Sequence, residues 1–178
     1  MSLLAERVLL LHGSLHRSRI PHAFGGALAL AYCTQQARGT IDIDLNVFLD
    51  REQVSRLRAA LPEGLRISAA SARQLETQGQ ARVLWDKIPV DFFLSTTEFH
   101  HQVAARVAWH RFGGKVVPFL ACNDLAVFKA FFSRAKDWAD LEEMLHAGLL
   151  DTPTVCSALA EHLGPDDERI ARLRNLPG

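Results

Sequence analysis

The clearest pattern along the chain is a strict alternation of apolar and polar residues over Ile41-Asp42-Ile43-Asp44-Leu45-Asn46-Val47. This period of two predicts a β-strand whose apolar side chains, Ile41 included, face the core. Two further apolar runs, 81–86 and 89–94, are separated by two residues and predict a hairpin. Residues 111–119 predict another hairpin that turns at Gly113-Gly114.

Helical spacing dominates both ends of the chain. Residues 3–11 predict an amphipathic first helix, and residues 23–33 predict a short strand leading through two glycines into a second helix. Further helices are expected in the middle of the chain and throughout the C-terminal third: from Asp50 to about 61, from Thr97 to about 107, and at about 123–133, 136–147, 153–163 and 166–174. Residues 65–79 are less periodic and predict a short strand followed by a helix.

These elements predict an α+β fold, with a mixed β-sheet flanked by helices. Residues 1–120 form the expected α+β core, and residues 121–178 form a helical part packed on it. The length of 178 residues suits this arrangement.

Composition narrows the class of protein. Hydrophobic residues make up 48% and charged residues 22%, and 20 Lys and Arg balance 20 Asp and Glu. That profile predicts a cytoplasmic globular protein, and its zero net charge gives no global reason for tight nucleic-acid binding. No run approaches the roughly 20 apolar residues of a membrane span, so no membrane partner is expected. Cys33, Cys122 and Cys156 are odd in number and far apart, which argues against a disulfide framework or a zinc site.

Three acidic residues carry the candidate chemistry. Asp42 and Asp44 project from one strand face, and their repulsion is most readily relieved by a hard cation such as Mg²⁺. Asp91 lies in the run Val90-Asp-Phe-Phe-Leu94, which is so apolar that a carboxylate there needs a partner or a function. If the two strands are neighbours, the three carboxylates converge as in two-metal sites, where the ions lie roughly 3.5–4 Å apart. The structural alternative is an exposed polar face on an edge strand.

The glycine pair Gly25-Gly26 at a predicted helix start supplies the complementary half of a phosphate site. Backbone N–H groups and the helix dipole attract anions at such a position. The alternative is that the two glycines only form a tight turn.

Together these residues resemble the signature of the DNA polymerase β-like nucleotidyltransferase superfamily, and most closely its AbiEii-type and related minimal bacterial members. The resemblance spans about residues 22–145. The matching segments are Phe24-Gly25-Gly26, Arg38-Gly39-Thr40-Ile41-Asp42-Ile43-Asp44-Leu45, Val90-Asp91-Phe92, Asn123–Lys129 and Arg134–Asp140.

The resemblance implies a role for each matching residue. Asp42 and Asp44 would bind both metal ions, with Mn²⁺ as an alternative to Mg²⁺, and Asp91 would bind the catalytic ion and help activate the acceptor hydroxyl. The remaining implied roles concern the nucleotide. Gly25 and Gly26 would cradle the triphosphate, and Arg38 and Thr40 would contact phosphate or position the acidic strand. Lys129 would reach the phosphates, and Asp137 would orient Lys129 or the base. The glycine pair lacks the serine that many members carry.

Structural interpretations stay open for several residues. In the structural interpretation of Lys129, this residue lies on an apolar helix face and only extends its amine to solvent. In that of Asp137, the residue is the N-cap of a helix. His100 and His101 are expected on a solvated helix face. Trp85, Trp109 and Trp138 are expected in the core rather than as base-stacking platforms.

The expected function is in-line transfer of a nucleotide from an NTP to an acceptor. The family offers three acceptors: an RNA 3′ end such as tRNA, as in the toxins of toxin–antitoxin pairs; a small molecule such as an aminoglycoside; or a protein hydroxyl. An antitoxin partner would accompany the first of these. The alternative from another class is a non-catalytic nucleotide-binding or interaction module on the same fold.

Overall fold

A computed structural model describes residues 2–36 and 39–177. The strands of this part of the chain are β1 (His22–Phe24), β2 (Ile43–Val47), β3 (Gln80–Trp85), β4 (Ile88–Leu94), β5 (Ala108–Phe112) and β6 (Lys115–Phe119). The helices are α1 (Leu3–Arg17), α2 (Gly26–Thr34), α3 (Val54–Ala60), α4 (Ala69–Gln78), α5 (Glu98–Ala104), α6 (Cys122–Phe132), α7 (Ala135–His146), α8 (Thr152–Leu163) and α9 (Glu168–Arg174). A short 3-10 helix, Arg51–Gln53, precedes α3.

The predicted α+β class is confirmed. The two hairpins form where the sequence places them, as β3–β4 and β5–β6, and β1 leads through the glycine pair into α2. The strand expected at the start of residues 65–79 is absent from the described chain. Instead Ser68 caps α4, because its side chain accepts a hydrogen bond from the Ser71 N–H.

The six strands form one mixed sheet in the order β3-β4-β2-β1-β6-β5. β2 pairs with β4 in parallel and with β1 in the antiparallel sense, and β1 pairs with β6 in parallel. The crossover from β2 to β4 puts two segments that are far apart in sequence side by side, which brings the predicted acidic strands together.

The alternation over residues 41–47 predicts the buried face of β2 correctly, but it fails at Ile41, which precedes the strand. Ile43, Leu45 and Val47 are fully buried, whereas Ile41 is 79% exposed. The expectation that Ile41 faces the core is therefore wrong. The strand begins only at Ile43, so Ile41 lies outside the pleat that would direct its side chain inward.

The chain separates into two compact units. One contains Met1–Leu28 and Arg38–Phe119, and the other contains Ala29–Ala37 and Leu120–Gly178. The sequence places the division between residues 120 and 121, whereas in the structure the C-terminal part of α2 groups with the last four helices.

The second unit consists of the end of α2 and the helices α6 to α9, with α6 packed against the other three. A disulfide joins Cys33 in α2 to Cys122 at the start of α6, with their Cα atoms 5.6 Å apart. The expectation that the cysteines form no disulfide is therefore wrong. Spacing along the sequence says nothing about a pair that the fold brings together from 89 residues apart.

No helix of the described chain has both the length and the apolar character needed to cross a membrane.

Candidate active site

The acidic residues meet on one face of the sheet at the β2–β4 ladder. Asp44 and Asp91 are direct partners in this parallel pairing, so their side chains leave the same face. Asp42 lies just before β2, and Asp91 alternates with fully buried Val90 and Phe92. The strand neighbourhood on which the sequence hypothesis depends is thus present, and the three carboxylates converge on one region of the sheet.

Arg82 of β3 is a fourth member of this cluster. It is the antiparallel partner of Asp91, and its Nε and Nη2 donate to the two Asp91 oxygens at 2.7 and 2.5 Å. Its Nη2 also lies 3.6 Å from Asp42 Oδ2. The pKa of Arg82 is raised, first by its hydrogen bonds to Asp91 and by the negative charge of Asp91. The charges of Asp42 and Asp44 contribute less. The sequence analysis missed Arg82, whose polar position in an alternating strand is the only sequence signal for it.

Thr40 holds Asp42 in place. Its hydroxyl donates to Asp42 Oδ1 at 2.7 Å, so the threonine supports a carboxylate of the cluster. Both predicted roles of Thr40, contact with phosphate or positioning of the acidic strand, stay predictions. Arg38, the other residue given this expectation, lies outside the described residues.

The two glycines have different structural tasks. The Gly25 N–H donates to the Asp44 carbonyl at 2.9 Å, which fixes the glycine turn to β2 and takes up one of the backbone donors expected for phosphate. Gly26 begins α2 with a φ of +53°, and a Cβ there would lie 2.6 Å from Asp44 Cγ and still closer to Oδ2. The Asp44 carboxylate therefore packs directly against the first residue of a helix, where the positive end of the dipole favours negative charge.

Lys129 and Asp137 lie in the second compact unit and contact each other there. Lys129 is 7% exposed, and its Nζ lies 2.7 Å from Asp140 Oδ2 and 3.9 Å from Asp137 Oδ1. The idea that Lys129 only extends its amine to solvent is wrong, because the amine is buried in an ion pair. Their predicted roles toward a nucleotide stay predictions.

Asp137 does not occupy the N-cap position that one interpretation gave it. Arg134 occupies that position, and Asp137 accepts from the Arg134 backbone N–H at 3.2 Å and from its Nε at 2.6 Å. The helix starts three residues earlier than the capping interpretation requires, and Asp137 accepts from the Arg134 N–H from within the first helical turn.

The histidine and tryptophan expectations hold in part. His101 is exposed, and His100 is partly exposed and lies 2.9 Å from the Thr97 hydroxyl at its Nδ1. Trp85 and Trp138 are core residues at 1% and 2% exposure, but Trp109 is 54% exposed. The core assignment of Trp109 is wrong, because it lies on the edge strand β5 and is more than half exposed, although its ring also contacts His12.

A buried histidine pair in the first unit also escaped the sequence analysis. His12 Nδ1 lies 3.1 Å from His22 Nε2, and His22 Nδ1 lies 2.8 Å from the Ile20 carbonyl, to which it must donate. Burial, which outweighs the bond to Ile20, lowers the pKa of His22 to about 4, with smaller contributions from His12 and His16. His16 and His22 contribute to the wall of a pocket of about 320 Å³ that also includes Trp109.

The three aspartates have the ligand chemistry that a divalent metal ion requires, but their side chains are not yet arranged as a set of metal ligands. Asp42, Asp44 and Asp91 offer the carboxylate oxygens that Mg²⁺ prefers. Within residues 2–36 and 39–177, however, no three His, Cys, Asp or Glu side chains are already grouped as metal ligands. Arg82 stands against two of the carboxylates, and Asp44 lies against Gly26.

Comparison with known proteins supports the fold. No protein-family model and no curated protein matches the sequence. A solution structure of the antibiotic-resistance factor ANT(2'')-Ia matches with a TM-score of 0.50 and 14% identity, over 96% of this chain and 89% of the other. A crystal structure of ANT(2'')-Ia with adenylyl-2''-tobramycin matches with a TM-score of 0.54 and 15% identity, over 96% and 95%. The chain therefore has an α+β, nucleotidyltransferase-like fold.

Proposed function

We propose that this protein is a Mg²⁺-dependent nucleotidyltransferase that transfers a nucleoside monophosphate from an NTP to an acceptor. The observation that carries the proposal is the convergence of Asp42, Asp44 and Asp91 at the β2–β4 ladder, beside the glycine start of α2 and within a nucleotidyltransferase-like fold. Three carboxylates at one place are costly unless a cation balances them.

In this proposal Asp42 and Asp44 would hold the metal ions, with Thr40 fixing the Asp42 carboxylate. Asp91 would hold the catalytic ion and help activate the acceptor hydroxyl. The chemistry that the bound ions would supply is neutralisation of phosphate charge, so catalysis would depend on alignment and charge without a covalent intermediate. The backbone at the start of α2 would receive the triphosphate, a task that the dipole of that helix favours.

For the acceptor we favour a small polyhydroxylated amine of the aminoglycoside class as the first candidate. The support is the similarity to ANT(2'')-Ia, which was crystallised with adenylyl-2''-tobramycin and is matched over 95% of its chain. The zero net charge of the present chain weakens the RNA alternative, because phosphate contacts dominate RNA affinity. A protein hydroxyl, the toxin role with its antitoxin, the AbiEii-type relationship and a cytoplasmic location stay predictions from the sequence.

The proposal predicts that Asp42→Asn and Asp44→Asn each lower transfer by at least about 100-fold, because each removes charge from a site built to stabilise the transition state electrostatically. The measurement is incorporation of label from each α-³²P-labelled NTP with Mg²⁺, using tobramycin, total RNA and the protein itself as separate acceptors. Glu63→Gln, which removes an exposed carboxylate from a loop, is the matched control and should leave transfer unchanged.

Circular dichroism must show that both aspartate variants stay folded for the comparison to hold. Transfer at wild-type rates by folded Asp42→Asn or Asp44→Asn protein would refute the assignment. Mg²⁺-dependent NTP binding by the wild type, without transfer to any acceptor, would instead support the non-catalytic nucleotide-binding module.

A further inference from the structure

The Arg82 guanidinium bonds to the carboxylate oxygens of Asp91, which the proposed metal site would also use. Its two bonds to Asp91 are parallel, as in a bidentate arginine–carboxylate pair, and the same Nη2 reaches toward Asp42. It therefore bonds to Asp91 and forms a longer ion pair with Asp42. A single cation between two acidic groups is the electrostatic role that the sequence hypothesis gave to Mg²⁺.

The geometry makes the two cations competitors. Arg82 uses one lone pair on each Asp91 oxygen, and each oxygen keeps a second lone pair that could bind a metal ion. A divalent cation on this carboxylate would still be repelled by the positive charge of Arg82. The bonds from Arg82 therefore weaken metal binding at Asp91.

The surroundings allow Arg82 to leave. The side chains of Asp91 and Asp42 are 17% and 28% exposed, whereas the Arg82 side chain is 59% exposed. The carboxylates are thus held by the sheet, and the arginine can move into solvent without opening the core. An ion pair with one well-solvated partner is weak enough to be exchanged for a divalent ion.

We propose that Arg82 is the counterion of this carboxylate cluster, and that it competes with Mg²⁺ for Asp91. This inference rests on the proposed function, because it takes the carboxylate cluster to be a metal site. Arg82 keeps the carboxylates from repelling one another in the absence of metal, and it raises the metal concentration that the site requires. Metal loading and the position of Arg82 are therefore coupled.

The test measures metal affinity and needs no catalysis. Mn²⁺ binding to the full chain is followed by the electron paramagnetic resonance signal of free Mn²⁺ in low salt. Arg82→Gln should bind Mn²⁺ about tenfold more tightly than the wild type, a change expected when one partly exposed ion pair no longer competes with the metal ion. Arg82→Lys keeps the positive charge but cannot form the bidentate pair, so its Mn²⁺ affinity should lie between those of the wild type and Arg82→Gln.

Arg66→Gln is the matched control, because it removes an exposed positive charge from the same compact unit. Thermal unfolding gives a second measurement: without metal Arg82→Gln should melt below the wild type, and saturating Mn²⁺ should raise its Tm more. Equal Mn²⁺ affinity in the wild type, Arg82→Gln and Arg66→Gln would overturn the role of Arg82 while leaving the metal site intact. Absence of Mn²⁺ binding from every variant would overturn the metal site, and with it both proposals.

Discussion

At Gly26 the missing side chain decides where the Asp44 carboxylate can lie. The residue has a φ of +53°, and its Cα faces Asp44 so closely that a methyl group would overlap the carboxylate. Two independent constraints, backbone conformation and space, therefore require glycine at the start of α2. The sequence suggested a role in binding phosphate, and the structure adds a direct structural role toward an acidic residue of the candidate site.

Gly26→Ala is expected to destabilise the protein by more than Gly148→Ala. Both glycines have positive φ, but a Cβ at Gly148 would meet no atom within 4 Å. The control substitution should cost about 1 kcal/mol for the backbone alone. The Gly26 substitution should cost at least 1–2 kcal/mol more, roughly, because a rigid strand carboxylate must move. Urea unfolding of the two variants gives the comparison, and equal losses of free energy would show that Asp44 does not pack against Gly26.

His22 makes the stability of the protein depend on pH. Its pKa is about 4 in the folded protein against 6.5 ordinarily, because burial disfavours the charged ring. The unfolded chain therefore binds more protons between these values, so the contribution of His22 is complete above pH 6.5 and is lost as the pH falls toward 4. The expected loss is on the order of 3 kcal/mol.

Urea unfolding between pH 7 and pH 4.5 measures this loss for the wild type and for His22→Gln. The variant should lose less stability over the same interval, because glutamine does not titrate. His146→Gln, which replaces an exposed histidine, should behave like the wild type. If His22→Gln shows the full wild-type pH dependence, the loss arises from other groups.

At the scale of the elements, local patterns were enough to predict most strands and helices. The alternation in β2 and the short apolar runs of β3 and β4 are signals that a few neighbouring residues contain. The pairing of β2 with β4 and the partnership of Arg82 with Asp91 are not local, since both depend on register between separate strands. For this reason the three aspartates were predictable as candidates, whereas the arginine among them was not.

Helix starts show the same limit on a smaller scale. The sequence places α7 near Asp137, but the helix begins at Ala135 after the cap at Arg134. An acidic residue is common both at a cap and within the first helical turn, so its presence does not distinguish the two positions. The side-chain bonds from Arg134 to Asp137 decide the matter, and they become visible only in the structure.

At the scale of the whole chain, the disulfide between Cys33 and Cys122 is the feature that the sequence analysis predicted least well. Cys33 and Cys122 enclose a loop with a sequence separation of 89, and the strands β2 to β6 all lie within it. A crosslink across so long a loop removes much of the freedom of the unfolded chain. In the chain-entropy model it stabilises the folded state by up to about 4–5 kcal/mol.

Reduction with dithiothreitol is therefore expected to lower the free energy of unfolding of the wild type by about 2–4 kcal/mol. The measurement is urea unfolding with and without the reductant, at equal pH and protein concentration. A Cys33→Ser, Cys122→Ser double variant should match the reduced wild type, and the reductant should not change it further, because Cys156 is a free buried thiol. Thiol titration after unfolding should count three reactive groups in dithiothreitol, which shows that the disulfide is reduced. If the reduced wild type is then as stable as the oxidised protein, the crosslink does not stabilise the fold.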